Sequence, residues 1–588
     1  MRTWVAPAIG LGLVSLTLTG IAFEVIQTRR PPATPATNNN LHYAGYSQRE
    51  FYTGLENPSQ ITPIKEKVYG GIVSHHFFVE KEIAKFFLAL KKQRPKTVVI
   101  IGPNHFNVGK SDILVSQYAY ETPYGVLDPD HGVINQLTNV GTAKVEEQPF
   151  EREHSISTLV GFAKATFPEA QIVPIIVKRG APQQRLDELV DKLDSTLPAD
   201  SLVIASVDFS HHQNRMAAQF HDERSIAAIK SFEFEAINNL EIDSPPSIYV
   251  LLRYLERRGG QRVEYQHVNS AEYSKNLASE DVTSYLFAHF LKGQPEPTPA
   301  ISVLSFGDMM FDRAIKAGIK ETQNPFAKII GVEGNFFKGV DFISANLEGP
   351  ITADCDAPGS RFKFATTTGN LLSAHGINIV NLANNHTPDC GPRGLEDTRQ
   401  YLSNANVSYF GDQGITSRSY VLKKVDGQTI AFLGVNALSL SPAAEQQLLT
   451  LVTDIKSKAN YLVVNIHWGV EYNTSPSTEQ RQLAHKLIDN GADVILGHHP
   501  HVIQPLETYK DKAIFYSLGN FIFDQVDPET RLGLAVGTAF INDAIQLTLF
   551  PFGIDNYQPA LLPYTETENF CDLFLQEHPR TDICTIEL

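Results

Sequence analysis

Residues Ala492–His501, ADVILGHHPH, form a short hydrophobic run that ends in a glycine, three histidines and a proline. A β-branched run that is bounded by turn residues predicts a buried β-strand. Clustered imidazoles are costly to bury without a ligand, because each ring carries polar atoms that need partners. The stretch therefore predicts a strand whose carboxyl end presents histidines for binding.

The same pattern recurs along the chain. Other β-branched runs are KTVVIIG, QIVPIIV, SLVIASV, AISVLSF, INIVNLA and YLVVNIH. They alternate with amphipathic helical stretches such as VEKEIAKFFLALKKQ and STEQRQLAHKLIDNG, a pattern typical of α/β or layered α-β-β-α proteins. In such folds ligands bind outside the carboxyl ends of the strands, so polar residues at those ends are the candidate site residues.

Length and charge narrow the class of protein. The chain has 588 residues, of which 42% are hydrophobic and 19% are charged, which predicts two large globular domains. Its formal net charge is -16, and no cluster of lysines and arginines interrupts this acidity. Because phosphate contacts need such clusters, we expect no nucleic-acid partner.

The N-terminal segment 4–26 contains a run from Trp4 to Phe23 without a charged side chain, about long enough to cross a bilayer as a helix. We predict an uncleaved transmembrane signal anchor, with a cleaved signal peptide and a buried N-terminal helix as alternatives. The protein would then be single-pass, with its bulk outside the cytoplasm. Arg2 and Arg29 lie on opposite flanks of the run, so the charge rule alone does not fix the orientation.

Pro-rich stretches divide the rest of the chain. We predict a linker at 31–41, a first domain at 42–290, a second linker at 291–300, a second domain at 301–560 and a C-terminal tail at 561–588. The four cysteines, Cys355, Cys390, Cys571 and Cys584, show no C-x-x-C spacing, which argues against a zinc-thiolate site. Pairing 355 with 390 and 571 with 584, or four unpaired thiols, are both compatible with the sequence.

In the second domain, carboxylates, amides and imidazoles follow successive predicted strands. They are Asp308, Asn346, Glu348, Asn385, His386, His467, His498, His499 and His501. Mixed imidazole and carboxylate ligands suit Mn, Zn or Fe better than Mg or Ca. Such a set could hold two ions about 3.5 to 4 Å apart, an arrangement that polarises a phosphoryl group and activates water.

These residues resemble the bacterial capsule-synthesis CapA family, which includes poly-γ-glutamate accessory proteins and whose domain is similar to calcineurin-like metallophosphoesterases. The likeness covers about 301–530 through GDMM, NLEGP, LANNHTPDCGPRGLEDT, NIHWGVEY, GADVILGHHPHVIQPLE and FYSLGNFIFD. It implies an α-β-β-α metallophosphoesterase sandwich with metal ligands at Asp308, Glu348, Asn385, His467, His499 and His501. It also implies that His386 protonates the leaving group or binds phosphate, with His498 and Asn346 secondary. Arg313 is a candidate anion contact and Asn520 a candidate residue of the pocket rim.

Two positions depart from the metallophosphoesterase pattern. Met310 stands where a D-x-H motif would have its histidine, and Glu348 replaces the usual bridging aspartate. The site is therefore expected to hold one or two divalent ions.

The first domain has its own series of strand-end histidines, in GGIVSHHFF, KTVVIIGPNHF, EREHSIS and LVIASVDFSHH. The series resembles the Memo family, also called AmmeMemoRadiSam system protein B, across about 65–290. The resemblance implies a fold similar to class III extradiol dioxygenases, with His75, His105 and His211 as ligands of Fe or Cu and with His154 and Asp208 close by. His76 is the alternative to His75. The domain has no cysteine, so a thiolate ligand is excluded.

Together these resemblances predict a membrane-anchored protein with a CapA-like metal-dependent phosphoesterase domain and a Memo-like metal-binding domain. Its expected setting is capsule, poly-γ-glutamate or other envelope polymer metabolism, and its expected partner is a phosphate ester or an anionic envelope polymer. Two alternatives stay open: a non-hydrolytic factor that binds or assembles the polymer, and a Memo-like non-haem metal oxygenase.

Overall fold

The computed structural model describes residues 40–56, 61–320, 324–331, 334–355 and 362–588. The predicted anchor at 4–26 lies outside these ranges, as does most of the predicted 31–41 linker. Within the described ranges, no helix is both long and apolar enough to cross a membrane. The longest of them, Arg215–Ser231, has 17 residues and carries both acidic and basic side chains. The predicted single-pass membrane localisation is therefore not supported by any helix in the described ranges.

The N-terminal half, residues 42–291, is built on an eight-stranded sheet. The strands of this half, the first of which begins one residue earlier at Leu41, are β1 (Leu41–Tyr43), β2 (Val68–Val73), β3 (Thr97–Pro103), β4 (Ile113–Val115), β5 (Ala119–Thr122), β6 (Gly125–Leu127), β7 (Lys144–Val145), β8 (Gln171–Val177), β9 (Leu202–Ser206), β10 (Arg262–Asn269) and β11 (Ser284–Leu291). Its helices are α1 (Thr53–Glu56), α2 (Glu80–Ala89), α3 (His131–Asn139), α4 (His154–Ser157), α5 (Val160–Thr166), α6 (Gln183–Thr196), α7 (Arg215–Ser231), α8 (Phe234–Ile237), α9 (Pro245–Arg258) and α10 (Ser270–Ser274).

The large sheet of this half has the order β10-β11-β2-β9-β3-β8-β4-β7, and a small sheet has the order β1-β5-β6. Strands β2, β9, β3 and β8 are mutually parallel, so their carboxyl ends share one edge. Alternate residues of β3 enter different cores, Val99 and Ile101 on one face and Val98 and Ile100 on the other. A sheet covered on both faces is expected for a continuous apolar strand such as TVVIIGP.

The C-terminal half, residues 300–588, contains two sheets. Its strands are β12 (Ala300–Met309), β13 (Phe342–Leu347), β14 (Ile379–Asn381), β15 (Ser408–Phe410), β16 (Tyr420–Val425), β17 (Gln428–Asn436), β18 (Tyr461–His467), β19 (Val494–His498), β20 (Ile503–Tyr509), β21 (Lys512–Leu518), β22 (Asn520–Ile522), β23 (Leu532–Ile541), β24 (Ala544–Asp555), β25 (Gln558–Leu561) and β26 (Thr585–Glu587). Its helices are α11 (Arg313–Lys320), α12 (Thr368–Ala374), α13 (Gly391–Asn404), α14 (Pro442–Lys456), α15 (Thr478–Asp489) and α16 (Tyr564–Phe574).

The two sheets face each other across one core. The first has the order β15-β14-β13-β12-β23-β24-β25, with β22 beside β12 and β26 beside β24, and the second has the order β16-β17-β18-β19-β21-β20. In β17, Ile430 and Phe432 enter the core shared with β12, whereas Ala431 and Leu433 face the core formed with α14 and α15. This alternation with period two produces the layered α-β-β-α arrangement.

The C-terminal residues beyond 560 are part of this half. Helix α16 is followed by β26, which pairs with β24 of the larger sheet. Disulfides join Cys571 to Cys584 and Cys355 to Cys390. Of the two alternatives left open by the sequence, the paired one is therefore observed.

Candidate metal centres

Parallel strands from both C-terminal sheets end at a common place. Asp308 lies at the end of β12, and Glu348 directly follows β13. In the other sheet β18 ends at His467 and β19 ends at His498. Because these strands run parallel within each sheet, their terminal side chains collect at the edge where such folds bind ligands.

The stretch Ala492–His501 forms β19 and a sharp turn. His499 and His501 have positive φ angles of 95° and 58°, a left-handed backbone that few non-glycine residues adopt. The turn lets the His499 amide donate to Asp308 Oδ2 at 3.1 Å and brings His501 Nδ1 to 2.9 Å from Asn520 Oδ1. Both imidazoles thereby reach the same cluster as the strand-end carboxylates.

Glu348 is a fully buried carboxylate that accepts no hydrogen bond from any described residue. Its Oε1 atom lies 3.8 Å from His501 Nε2 and 4.0 Å from the Nε2 atoms of both His386 and His467. Burial, and then the nearby Asp308 carboxylate, raise the pKa of Glu348 to about 8. An orphaned carboxylate among imidazole nitrogens is a donor set that fits a divalent cation.

Asp308 is the second buried carboxylate of this cluster. Its Oδ1 accepts a hydrogen bond from Asn346 Nδ2 at 2.8 Å, and its Oδ2 lies 3.2 Å from His501 Nδ1. His498 Nδ1 lies 3.4 Å from Oδ1. Burial raises the pKa of Asp308, but His498 and His501 outweigh burial and hold that pKa well below its usual value. Asp308 is therefore the ionised partner of Glu348.

The amide side chains divide into two roles. Asn385 Oδ1 lies 2.8 Å from His467 Nε2, so two predicted ligands face each other. Burial lowers the pKa of His467 well below its usual value, which keeps the imidazole in the neutral form that metals bind. Asn346 Oδ1 instead accepts from the Nδ2 atoms of Asn381 and Asn384 at 3.0 and 3.1 Å, so Asn346 is held in an amide network that orients Asp308.

His386 lies at the mouth of this cluster, with 30% of its side chain exposed. Its Nδ1 is 3.0 Å from Asp389 Oδ2, which leaves Nε2 directed towards Glu348. Burial lowers the pKa of His386, but Asp389 and Glu348 outweigh burial and raise it. The ring is therefore oriented by one carboxylate, and its protonated form is stabilised relative to that of a free imidazole.

Arg313 occupies a position beside the cluster rather than within it. It pairs with Asp524, and its guanidinium carbon lies 5.0 Å from the Phe362 ring and 5.7 Å from the Phe523 ring. Phe362 packs on His386, with ring centroids 4.4 Å apart. Arg313 thus borders the site through aromatic rings.

The N-terminal half has a second cluster at the carboxyl edge of its parallel strands. His75 is buried, and its ring centroid lies 5.1 Å from that of His105 and 5.2 Å from that of His154. His105 Nδ1 is 2.7 Å from Glu153 Oε1, and His75 Nδ1 is 3.1 Å from Ser206 Oγ. Each of these contacts leaves Nε2 of the ring available to a ligand.

Two aspartates complete this second cluster. His75 Nε2 lies 3.5 Å from Asp208 Oδ2 and 3.2 Å from Asp243 Oδ2, and His105 Nε2 lies 3.8 Å from the same Asp243 atom. Both carboxylate oxygens of Asp243 are buried from solvent. Ligand atoms of His75, Asp208 and Asp243 lie within 4.8 Å of one another, as do those of His75, His105 and His154. Both groups fit a metal ion.

The sequence predictions for this half differ from the structure at three residues, His211, His154 and Asp243. His211, a predicted ligand, belongs to neither of these close groups and lines the adjoining cavity. His154, predicted only to lie nearby, belongs to one of them. His76 donates to or accepts from the Tyr285 hydroxyl at 2.7 Å, so its ring is committed to the protein interior. Asp243 was not predicted, because it lies between α8 and α9 and follows no strand.

Two family models match the chain, one in each half. The model described as bacterial capsule synthesis protein PGA_cap matches residues 302–525. The model described as Memo-like protein matches residues 49–285. Their order along the chain is the order of the two sequence resemblances.

The PGA biosynthesis protein CapA of Bacillus subtilis (strain 168) is 32% identical to the chain over 274 residues, which are 42% of this chain and 71% of that protein. The chain belongs to the CapA family. The C-terminal half is accordingly the CapA-like half, and its match is specific enough to confirm the resemblance predicted from its motifs.

The N-terminal half is Memo-like, as its motifs predicted. A MEMO1 family protein of Caldivirga maquilingensis is 33% identical over 184 residues, which are 30% of this chain and 61% of that protein. The chain thus joins a Memo-like half to a CapA-like half.

Among solved structures, a hypothetical protein from Thermus thermophilus is matched over 45% of this chain and 98% of that one, at 17% identity and a TM-score of 0.28.

One departure of the CapA-like half is explained by packing. Met310 is fully buried in the core, and its sulfur accepts the Asp312 amide at 3.0 Å. The position therefore contributes an apolar side chain to the core where a D-x-H motif would place an imidazole. The remaining donors are concentrated around Glu348.

Proposed function

We propose that the CapA-like half is a metal-dependent phosphoesterase. The observation that carries this proposal is the environment of Glu348, a buried carboxylate without a hydrogen bond that faces three imidazole nitrogens at 3.8 to 4.0 Å. Such a group is costly to bury unless a cation compensates it. A strand-end cluster of this composition is suited to hydrolysis of a phosphate ester.

The residues that would hold divalent ions are Asp308, Glu348, Asn385, His467, His499 and His501. Ligand atoms of Glu348, His499 and His501 lie within 4.8 Å of one another. Bound divalent ions supply Lewis acidity and make water a better nucleophile at neutral pH. The protein supplies buried donors that are already oriented, because Asn346 fixes Asp308 and Asn520 fixes His501. Preorganised ligands of this kind reduce the cost of binding both metal and substrate.

His386 is the proposed general acid. Asp389 holds the ring through Nδ1, so the proton on Nε2 points into the site and can pass to the oxygen of the leaving group. Arg313 is the proposed contact for a substrate that extends beyond the metal cluster, since it borders the site through Phe362. These two roles separate proton transfer from substrate binding.

We place this activity in the metabolism of a capsule or another anionic envelope polymer. The support is the family: relatives carry the names PGA biosynthesis protein CapA and capsule biosynthesis protein CapA.

A second candidate function is that of a factor that binds the polymer without hydrolysing it. The buried Met310 favours this alternative, because it removes one imidazole from the expected two-metal set.

For the Memo-like half we propose metal binding at His75 and His105, with His154, Asp208 and Asp243 as further donors. Asp243 supports this assignment, because its buried Oδ2 faces the Nε2 atoms of His75 and His105 at 3.2 and 3.8 Å. Iron or copper would suit a mixed imidazole and carboxylate site. Oxygen consumption that requires His105 would extend this proposal to an oxygenase.

The test is elemental analysis of the purified chain combined with hydrolysis of a generic phosphomonoester and phosphodiester. We expect Asp308→Ala to lose metal and hydrolysis together, and His105→Ala to lose a separate metal while hydrolysis continues. If wild type purified under metal-replete conditions contains no metal, the phosphoesterase proposal is excluded. Metal-loaded wild type that cleaves neither ester, in cells where Asp308→Ala still supports polymer production, would favour the binding factor.

A further inference from the structure

The cluster of the Memo-like half opens into a cavity that both halves build. The cavity has a volume of about 270 Å³ and is lined by His105 and Asp243 of the cluster. Asn335 and Lys338 of the CapA-like half line the same cavity. The Memo-like half alone therefore does not contain the complete site.

The CapA-like residues are held in place by contacts across the seam between the halves. Asn335 is buried, and its Nδ2 donates to the carbonyl oxygen of His211 at 2.9 Å. Lys338 Nζ donates to Asn335 Oδ1 at 2.6 Å. Gly339 has a φ of +74°, and a Cβ there would lie 2.9 Å from the Glu241 amide nitrogen, so only glycine allows this close approach. Lys338 is thus fixed at the cavity wall.

Two cations mark the cavity wall. Arg179, in the loop after β8, and Lys338 line both this cavity and a neighbouring one of about 540 Å³ along the seam. Arg179 is exposed and forms no ion pair with any residue in the described ranges. Asp243 also lines the smaller cavity, and its Oδ2 faces the imidazoles of His75 and His105. Burial raises the pKa of Glu241, the other acid of the lining, to about 8, so at neutral pH it carries little negative charge against the two cations. A divalent ion at the histidine cluster would add to this positive charge.

We propose that a small carboxylate or phosphate anion binds in this shared cavity, with its charged group held by Arg179 and Lys338 and its other end directed at His105 and Asp243. A guanidinium and an ammonium are the side chains that form strong charge-assisted hydrogen bonds with such anions. The cavity volume suits a molecule of metabolite size rather than a polymer chain. The CapA-like half thereby contributes to ligand binding by the Memo-like half.

This inference rests on the proposed metal site only for the direction of the second end of the ligand. Anion binding is therefore measured by isothermal titration on the full chain, with and without added Zn²⁺, using inorganic phosphate and glutarate as separate probes. We expect at least one probe to bind wild type, more tightly with metal. Lys338→Gln and Arg179→Gln should each weaken binding by about tenfold or more, because each removes one charge-assisted contact.

Lys144→Gln, which removes an exposed lysine on β7 away from the cavity, is the matched control and should bind as wild type does. The two probes distinguish a carboxylate ligand from a phosphate ligand. Failure of both probes on wild type would overturn the proposal, as would unchanged affinity in both cavity variants. Binding that depends on Lys338 in a protein that takes up no metal would support the anion site and refute only the metal site.

Discussion

Single polar atoms distinguish the two clusters from ordinary buried networks. In the described ranges most buried polar groups have partners, but neither oxygen of Glu348 forms a hydrogen bond, and the buried Asp243 Oδ2 faces the imidazoles of its own cluster. Since a buried carboxylate is costly without enough polar partners, each of these side chains identifies the place where a cation would stabilise the fold. A metal ion would therefore couple stability to function at both positions.

His386 is the residue whose loss should separate chemistry from metal binding. We expect His386→Ala to retain the metal content of wild type and to reduce phosphoester hydrolysis by about 100-fold, because a general acid contributes that much. The measurement is the turnover number beside elemental analysis of the same sample. His375→Ala, at a partly buried histidine that contacts Asn324, is the control and should retain both properties. Equal turnover in wild type and His386→Ala would refute the acid assignment.

The sequence predicted the position in the fold of residues that lie at or just beyond the end of a strand. His75, His105, Asp308 and His467 are in register with hydrophobic runs, so their position at a sheet edge could be read from periodicity. Asp243 lies in a loop between two helices and reaches its cluster only because of tertiary packing. Such a residue leaves no local signal, because nothing in the pattern EIDSPPS fixes where the loop will lie.

At the scale of elements, β19 depends on a glycine. Strand β19 lies between β18 and β21, and Trp468 Nε1 donates to the Tyr516 carbonyl oxygen at 2.9 Å across it. A Cβ on Gly497 would lie 1.9 Å from that same carbonyl oxygen and 2.7 Å from Trp468 Nε1. Only a residue without a side chain can therefore occupy this position.

We expect Gly497→Ala to destabilise the chain by about 2 to 3 kcal/mol or more, because the substituted strand must move away from both neighbours. Urea denaturation followed by tryptophan fluorescence measures this change. Gly414→Ala is the matched control, since a Cβ there meets no atom within 4 Å. Comparable stability of the two variants would mean that β19 moves freely at the site.

Glu223 is a buried acid on helix α7 that contacts Gln546 of strand β24. The Oε2 atom of Glu223 is buried without a hydrogen bond. Burial raises the pKa of the carboxyl group from 4.5 to about 7, although a hydrogen bond from Gln546 to this group acts in the opposite direction. An acid whose pKa is raised by folding stabilises the folded state below pH 4.5 and loses that contribution as the pH rises to about 7. Helix α7 and strand β24 should therefore pack less stably at pH 7 and above than near pH 4.

We expect Glu223→Gln to equal wild type in stability near pH 4 and to exceed it by about 1 to 3 kcal/mol above pH 7, because the amide has no charge to bury. Denaturation midpoints across this pH range measure the difference. Glu235→Gln, at an exposed glutamate on α8, controls for the loss of a surface charge and should show no such trend. A constant difference between Glu223→Gln and wild type at every pH would contradict the argument.

At the scale of the whole molecule, the two halves share an interface that neither could form alone. Phe220 of α7 belongs to the same hydrophobic core as β12 and β24, and its ring lies 5.9 Å from that of Phe550. Arg215 in α7 pairs with Asp582 near the C-terminus at 2.5 Å. The sequence predicted two domains with a linker at 291–300, but no local pattern shows that α7 will serve both of them. Interfaces of this kind depend on surfaces that are far apart in sequence.

Arg224 is the charged centre of this interface. It is buried, with Nη1 2.7 Å from Glu233 Oε2 in the Memo-like half and Nε 2.9 Å from Asp341 Oδ2 in the CapA-like half. Burial lowers the pKa of Arg224, but Asp341 and Glu233 outweigh burial and raise it. Removing the cation would leave two carboxylates facing each other, a change that typically costs about 3 to 5 kcal/mol.

We expect wild type to unfold in one calorimetric transition and Arg224→Gln to unfold in two, because the variant breaks the ion pairs that join the halves. Arg253→Gln is the matched control: Arg253 pairs with Glu256 within α9 at 3.0 Å and joins no second half. Its loss should lower the melting temperature slightly and keep one transition. Two transitions already present in wild type would show that the halves unfold independently, in which case Lys338 could contribute to the Memo-like cavity only while both halves remain folded.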